Sequence, residues 1–324
     1  MYLVFLALSF VYFLFYQNVI GGCLLASLFL ILLYSYIKGK RMIRYVDISF
    51  NKHKKVYRQG EKFQLVIEVA KQRIFESREI TVEIQYTSIM KKKVERVKET
   101  LLLQRETDGK VVLEYLLKQC DGLEIEIKEF YLNDLCGCFK FRKKVHFFEK
   151  ILVLPEEYMI ESGRITGSIE EYGNLRLAGE KGEHMEIEPV LYLDLENLIY
   201  EQDMKVRLQF LPVFYSISST LLKCGYEHRC LFGEEQFFIY GWEDYLPMFG
   251  RIFDLIRSGR PLIQPKDMSI ITHAITTGNG LPIDHYYGKT IAVICDERSI
   301  VREFVMTEYV RAMNLKEDLF NLSL

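Results

Sequence analysis

Residues 1–37 contain no Asp, Glu, Lys or Arg, and Lys38, Lys40, Arg41 and Arg44 come immediately after. A chain with such a block must bury it in protein or place it in a bilayer, and the abrupt change to basic residues is the pattern of a membrane border. One helix through the whole run would be about 55 Å long, against a hydrocarbon core of roughly 30 Å. A break is therefore expected, and Gln17-Asn18 followed by Gly21-Gly22 supplies one, because amides and paired glycines favour a turn. The expectation is two short spans, residues 2–16 and 20–37, forming a transmembrane helical hairpin within residues 1–37. One long uncleaved anchor is the alternative. A cleaved signal peptide needs a basic start, and the sequence has no Lys or Arg before Lys38. The basic flank keeps the C-terminal bulk of the chain in the cytoplasm, and two spans put the N-terminus there too. The chain is thus expected in the cell membrane, as a two-span protein with cytoplasmic soluble domains.

The remaining residues suffice for two domains of ordinary size. Their charge is divided: residues 38–150 hold 26 basic and 17 acidic side chains, and residues 151–324 hold 16 and 27. A basic half beside the membrane suits an anionic inner leaflet. The runs Lys91-Lys92-Lys93 and Arg142-Lys143-Lys144 are short and stand between strand-like segments, so they read as turn or edge lysines and no nucleic acid is expected. Seven cysteines scattered through apolar runs suit reduced thiols, and Cys136-Gly137-Cys138 is a lone pair with no nearby His.

Between residues 46 and 155 the apolar period is two. Phe63, Leu65 and Ile67 alternate with polar positions, as do Ile80, Val82, Ile84 and Tyr86, then Val111, Leu113 and Tyr115, then Leu123, Ile125 and Ile127. Gln59-Gly60, Asp108-Gly109 and Asp121-Gly122 punctuate them as turns, which predicts an immunoglobulin-like β-sandwich. Residues 156–188 are acidic and glycine-dotted and read as an exposed linker. From 189 to 324 the pattern is α/β. Val190-Leu191-Tyr192-Leu193 is a strand buried on both faces, and residues 212–224, 243–257 and 298–311 are predicted helices. Residues 226–232, 236–240, 269–275 and 290–295 are predicted strands, in a mostly parallel sheet. The fold class expected is α+β multidomain.

Several short motifs then fall into order. Val56-Tyr57-Arg58-Gln59-Gly60-Glu61 precedes the first long strand, and Asp121-Gly122-Leu123 leads to Tyr131-Leu132-Asn133-Asp134-Leu135-Cys136-Gly137-Cys138-Phe139. Ile151-Leu152-Val153-Leu154-Pro155 closes the segment. In this arrangement the chain resembles the bacterial domain-of-unknown-function 58 family, as a divergent member. The resemblance implies that the last domain is von Willebrand A-like and that a MoxR-type AAA+ ATPase is its cytoplasmic partner. The chain departs from that family after residue 155, where it offers only Glu170-Glu171-Tyr172-Gly173.

Domains of the von Willebrand A type often hold Mg²⁺ through Asp-x-Ser-x-Ser at the end of the first strand. Here that place reads Asp194-Leu195-Glu196-Asn197-Leu198. Asp194 is present, Glu196 replaces one Ser, and Leu198 has no ligand atom at all, so the metal position is degenerate. No metal, cofactor or catalytic residue is expected, and Asp194→Ala is expected to leave stability nearly unchanged. Asp194, Asp296 and Glu297 stand where α/β sheets bind ligands, outside the carboxyl ends of the strands, and are the candidate interaction residues. The reading is a membrane-anchored, non-enzymatic scaffold. Its alternative is a metal-dependent adhesion module or enzyme using Asp194, Glu196 and Asp296.

Overall fold

The computed structural model describes residues 2–44, 46–48, 55–69, 78–103, 110–134, 137–160, 188–263, 265, 270–277, 289–295 and 307–322. The fold is mixed α/β and begins with two apolar helices, α1 (Tyr2–Tyr16) and α2 (Val19–Met42). The break between them is where the amides stand. Gln17 takes a left-handed φ of +43° and its N–H donates to the Phe13 carbonyl at 2.8 Å. The Asn18 side chain then caps α2 by accepting from Gly21 N–H at 2.7 Å. Glycine suits position 21 because a Cβ there would come 2.9 Å from Asn18 Oδ1 and 3.2 Å from the Tyr12 ring. α2 is long and apolar enough to cross a membrane, and only 11% of its apolar window is buried inside the protein, unlike a core helix.

α2 does not stop at the expected border after Ile37. It continues to Met42 and turns one face onto the folded body. Ser35, Gly39 and Met42 are buried at the spacing of a single helical stripe. Ser35 Oγ donates to Asp134 Oδ2 at 2.8 Å. Gly39 lies so close under Phe141 that a Cβ would overlap the ring. Met42 and Ile43 complete the body's core.

That part of the body is all β. Its strands are β1 (Val46–Ile48), β2 (Val56–Arg58), β3 (Lys62–Val69), β4 (Arg78–Ser88), β5 (Lys93–Leu103), β6 (Lys110–Leu116), β7 (Asp121–Asn133) and β8 (Lys140–Leu154). β1-β3-β6 form one sheet and β2-β8-β7-β4-β5 another. The alternation read from the sequence decides the inner face. Ile80, Val82 and Ile84 of β4 and Ile125, Ile127, Phe130 and Leu132 of β7 are buried, together with Phe63 and Leu65 from the smaller sheet. Bulges after Glu83 and Ile127 shift the β4–β7 and β7–β8 registers. One expectation needs correction. Asp121-Gly122 is not a turn but the start of β7, where the Asp121 carboxylate closes the β4–β5 turn through Ser88 Oγ and Met90 N–H. The Arg142-Lys143-Lys144 run, read as turn or edge residues, lies within β8 on a stretch that pairs only with β7 and so forms an edge.

The second part is built on β9 (Val190–Leu193), α3 (Leu195–Tyr200), α4 (Met204–Lys223), β10 (His228–Phe232), β11 (Glu235–Ile239), α5 (Tyr245–Ser258), β12 (His273–Thr277), β13 (Lys289–Ile294), β14 (Thr307–Arg311) and α6 (Leu315–Phe320). The sheet order is β11-β10-β9-β12-β13-β14. All neighbours run parallel except the β10–β11 hairpin. Leu191 and Leu193 face a large core shared with all four described helices, while Val190 and Tyr192 face a smaller cluster with Leu231 and Ala274. Two helix expectations are corrected. α4 starts at Met204, capped by Asp203, with Pro212 inside it instead of at its start. Residues 307–311, expected to end a helix, form a strand parallel to β13. Residues 161–187, most of the expected linker, lie outside the described residues.

The two parts share a core. Met90, Cys120 and Ile160 join the cluster of α4 and α5. Gly122 permits the approach, since a Cβ there would stand 2.6 Å from Ile89 Cδ1 and 3.2 Å from Phe253 Cβ. Lys92, held at a left-handed φ of +51°, donates to the Ile199 carbonyl at 2.9 Å, and Arg257 pairs with Glu124 at 2.6 Å. The described start of the expected linker is anchored as well. Tyr158 N–H donates to Ser216 Oγ at 2.9 Å, and Glu157 takes Ser219 Oγ at 2.7 Å and Lys223 Nζ at 2.5 Å.

Candidate functional site

The place to search is the point where the sheet reverses direction of growth. β10 and β11 extend it to one side of β9, and β12, β13 and β14 to the other, so the crevice outside the carboxyl ends of β9 and β12 is where open α/β sheets take ligands. Asp194 stands there, directly after β9 and at the N-cap of α3. Its carboxylate is already engaged. Oδ1 accepts from Asn197 N–H at 3.1 Å, and Oδ2 accepts from Thr276 Oγ1 at 2.7 Å and from Asn197 Nδ2 at 2.5 Å. Thr276 belongs to β12, so these bonds tie together the two strands that would otherwise open the crevice. The residue is 3% exposed, and burial pushes its acid strength down, raising the carboxyl above its usual range against those hydrogen bonds.

The other two positions of the metal pattern point elsewhere. Leu198 is fully buried in the core of α4 and α5. Glu196 sits half-buried in the first turn of α3. Among the described residues no group of three or more His, Cys, Asp or Glu is placed to hold a metal ion. A Mg²⁺ needs several free oxygens in octahedral array, and Asp194 with Asn197 and Thr276 does not leave them free. Asp296 and Glu297 lie outside the described residues.

One polar constellation escaped the sequence reading. Ser218 on α4, His228 on β10 and Tyr245 on α5 meet in the core, with Ser218 Oγ 2.6 Å from His228 Nε2 and 2.8 Å from Tyr245 Oη. His228 Nδ1 lies 3.1 Å from the Tyr226 carbonyl. That carbonyl assigns the proton to Nδ1, so Nε2 accepts from Ser218 and Ser218 accepts from Tyr245. Burial lowers the His228 pKa to about 4, keeping the ring neutral. A Ser–His pair invites a nucleophile reading, but none of the three is more than 1% exposed. No substrate reaches the hydroxyl, and the network is a satisfied polar brace between three elements. Spacings of ten and 27 residues across three elements leave no local motif to find.

The described surface carries one feature that the sequence reading did not single out. At the edge of the six-stranded sheet, Phe238 and Tyr240 stack at 6.1 Å with an interplanar angle of 7°, and Trp242 comes two residues later. They are 44%, 62% and 48% exposed, an open aromatic strip that scattered surface hydrophobics do not produce. The turn that carries it is fixed, since Asp244 Oδ2 accepts from both Tyr240 N–H and Gly241 N–H at 2.9 Å.

Comparison with known proteins adds little to this geometry. The chain matches no family model and no curated protein. Among solved structures it is similar to the superoxide reductase (neelaredoxin) from Ignicoccus hospitalis, at 17% identity, over 33% of this chain and 77% of that one, with a TM-score of 0.19. A likeness of that size carries no argument about fold or chemistry.

Proposed function

We propose that the chain is a membrane-anchored, non-enzymatic scaffold that presents its α/β part to a cytoplasmic protein. The observation that carries this reading is the continuity of the anchor with the body. The apolar length of α2 runs unbroken into Ser35, Gly39 and Met42, which lock onto Asp134, Phe141 and the β core. A tether built in this way sets the orientation of whatever it carries, which a loose linker would not. Both arms of the hairpin are taken to cross the membrane, with the basic flank and both termini in the cytoplasm.

Within this reading the β part is an immunoglobulin-like sandwich and the last part a von Willebrand A-like domain of the domain-of-unknown-function 58 family. The mostly parallel sheet and the Asp at the end of its first strand support that assignment. Closure of the strand-end crevice by Thr276 and Asn197 supports a non-catalytic role. The partner is a MoxR-type AAA+ ATPase, and the aromatic strip that starts on β11 and continues into the turn after it is its contact in place of the sealed Asp194. Buried aromatic contacts give most of the affinity at such surfaces, and the acidic balance of the distal half speeds encounter.

A photo-crosslinking residue at Tyr240 of the full chain, expressed in its own cells, tests the reading. An AAA+ ATPase trapped from position 240, and not from the solvent-facing Glu99 of β5, supports it. Trapping from Glu99 alone reverses the assignment of roles between the two parts.

A further inference from the structure

The foot of α2 holds a feature that the scaffold reading leaves unused. A groove of about 610 Å³ opens between the last turns of α2 and the start of β8. Tyr36, Phe139 and Phe141 form its wall, Lys40, Arg44 and Lys140 stand at its rim, and among the described residues none that lines it is acidic. We propose that this groove binds the headgroup of an anionic phospholipid, an inference that rests on the membrane reading of α2.

Position argues for the occupant. Ile37 ends the uncharged run, and Lys40 lies within one helical turn of it, at the depth where phosphates sit when the apolar residues of α2 span the hydrocarbon. The groove opens beside the span, so lipid is the molecule already in front of it. A soluble protein or nucleic acid would first have to displace headgroups.

Chemistry argues for the charge. The cations at the rim are not held by lining carboxylates but largely by aromatic faces. Lys40 Nζ lies 5.8 Å over the Tyr36 ring and Lys140 Nζ 4.3 Å over the Tyr131 ring. Two further lining cations are committed within the protein, Arg142 to Glu129 and Lys143 to the Arg44 carbonyl at 3.4 Å. They leave Lys40, Arg44 and Lys140 to donate charge-assisted bonds to a phosphate. The wall is preformed. The Tyr36 ring meets Phe139 edge-on at 5.2 Å and Phe141 at 5.5 Å, and Gly39 under Phe141 holds the rings against the helix. Rings of this kind partition at the glycerol level of a bilayer. An anionic lipid here would fasten the very contact that couples the anchor to the body.

The test uses the full chain in lipid nanodiscs, with Trp242→Phe and Tyr36→Trp so that the only tryptophan lies in the groove. Quenching is titrated with brominated phosphatidylglycerol and, separately, brominated phosphatidylcholine. The anionic lipid should reach half-quenching at a several-fold lower mole fraction. That preference should collapse toward one in the triple variant Lys40→Gln, Arg44→Gln, Lys140→Gln, while quenching by phosphatidylcholine persists. Native mass spectrometry of the unsubstituted chain should retain phosphatidylglycerol adducts that the triple variant loses, which keeps the test valid if the tryptophan variant misfolds. Equal quenching by both lipids, with no retained adduct, overturns the site but leaves the anchor standing. No quenching by either lipid removes the membrane reading itself. Relief by millimolar inorganic phosphate would make it a small-anion site, and loss of quenching as protein crowds the disc would give the groove to a second copy.

Discussion

Asp194 illustrates how one side chain can be legible in identity and misread in role. The sequence places it correctly at the end of a buried strand, and Leu198, in α3, is buried in the core. What the sequence does not show is the pairing with Thr276, 82 residues away, which turns the carboxylate into a strap between β9 and β12. The expectation that Asp194→Ala is neutral is therefore replaced. The alanine removes the cap of α3 and takes the acceptor from the buried Thr276 hydroxyl, at a cost of about 1–3 kcal/mol, read as a lowered melting temperature. His228 offers the matching pH experiment. Its folded pKa of about 4 lies below the unfolded value near 6.5, so the unfolded chain takes up the proton first. The stability it contributes is present above pH 6.5 and is lost as pH falls toward 4. His228→Gln should flatten the fall in melting temperature across that window relative to the parent chain, and an unchanged slope would remove His228 from the account.

Among the elements, those with a one-dimensional signature were readable and those defined by a distant neighbour were not. The helix break at Gln17-Asn18 is local, carried by two amides and two glycines. β3, β4 and β7 each bury one face and β6 half-buries Leu113 and Tyr115, and their alternation survives in the sequence. β5 escaped notice because it lies at a sheet edge with Lys93, Glu95, Arg96, Lys98 and Glu99 interrupting any pattern. β14 spans only five residues, too few to separate a strand period from a helical one, and its pairing with β13 decides the matter. α4 is buried over most of its length, so Pro212 could be carried inside it, where tertiary packing outweighs a local preference. The extension of α2 past Ile37 was also hidden, because the border was drawn where the uncharged run ends, and the helix continues under Phe141 beyond it. Gly39→Leu should push α2 off the β body while sparing the apolar span. Tryptic cleavage at Lys38, Lys40, Arg41 and Arg44 should then accelerate several-fold in the membrane-bound chain, whereas Leu24→Ala, exposed on the same helix, should leave the rate unchanged.

At the level of the whole molecule, three structures succeed one another along the chain and are fastened at both joints. α2 enters the β body through Ser35–Asp134 and Gly39, and the β body enters the α/β part through Met90, Cys120 and Gly122. A continuous packed path therefore runs from the apolar helices to the aromatic strip at the end of β11, as the scaffold proposal requires. All of this depends on α2 lying in a membrane with the basic flank on the cytoplasmic side. Paired reporters that are active only inside or only outside the cytoplasm, fused after Lys40 and after Leu324, measure that directly. Cytoplasmic signal from both positions, in chains that stay with the membrane after alkaline extraction, is the predicted result. Export of the reporter after Leu324, or release of the chain by alkali, would contradict it.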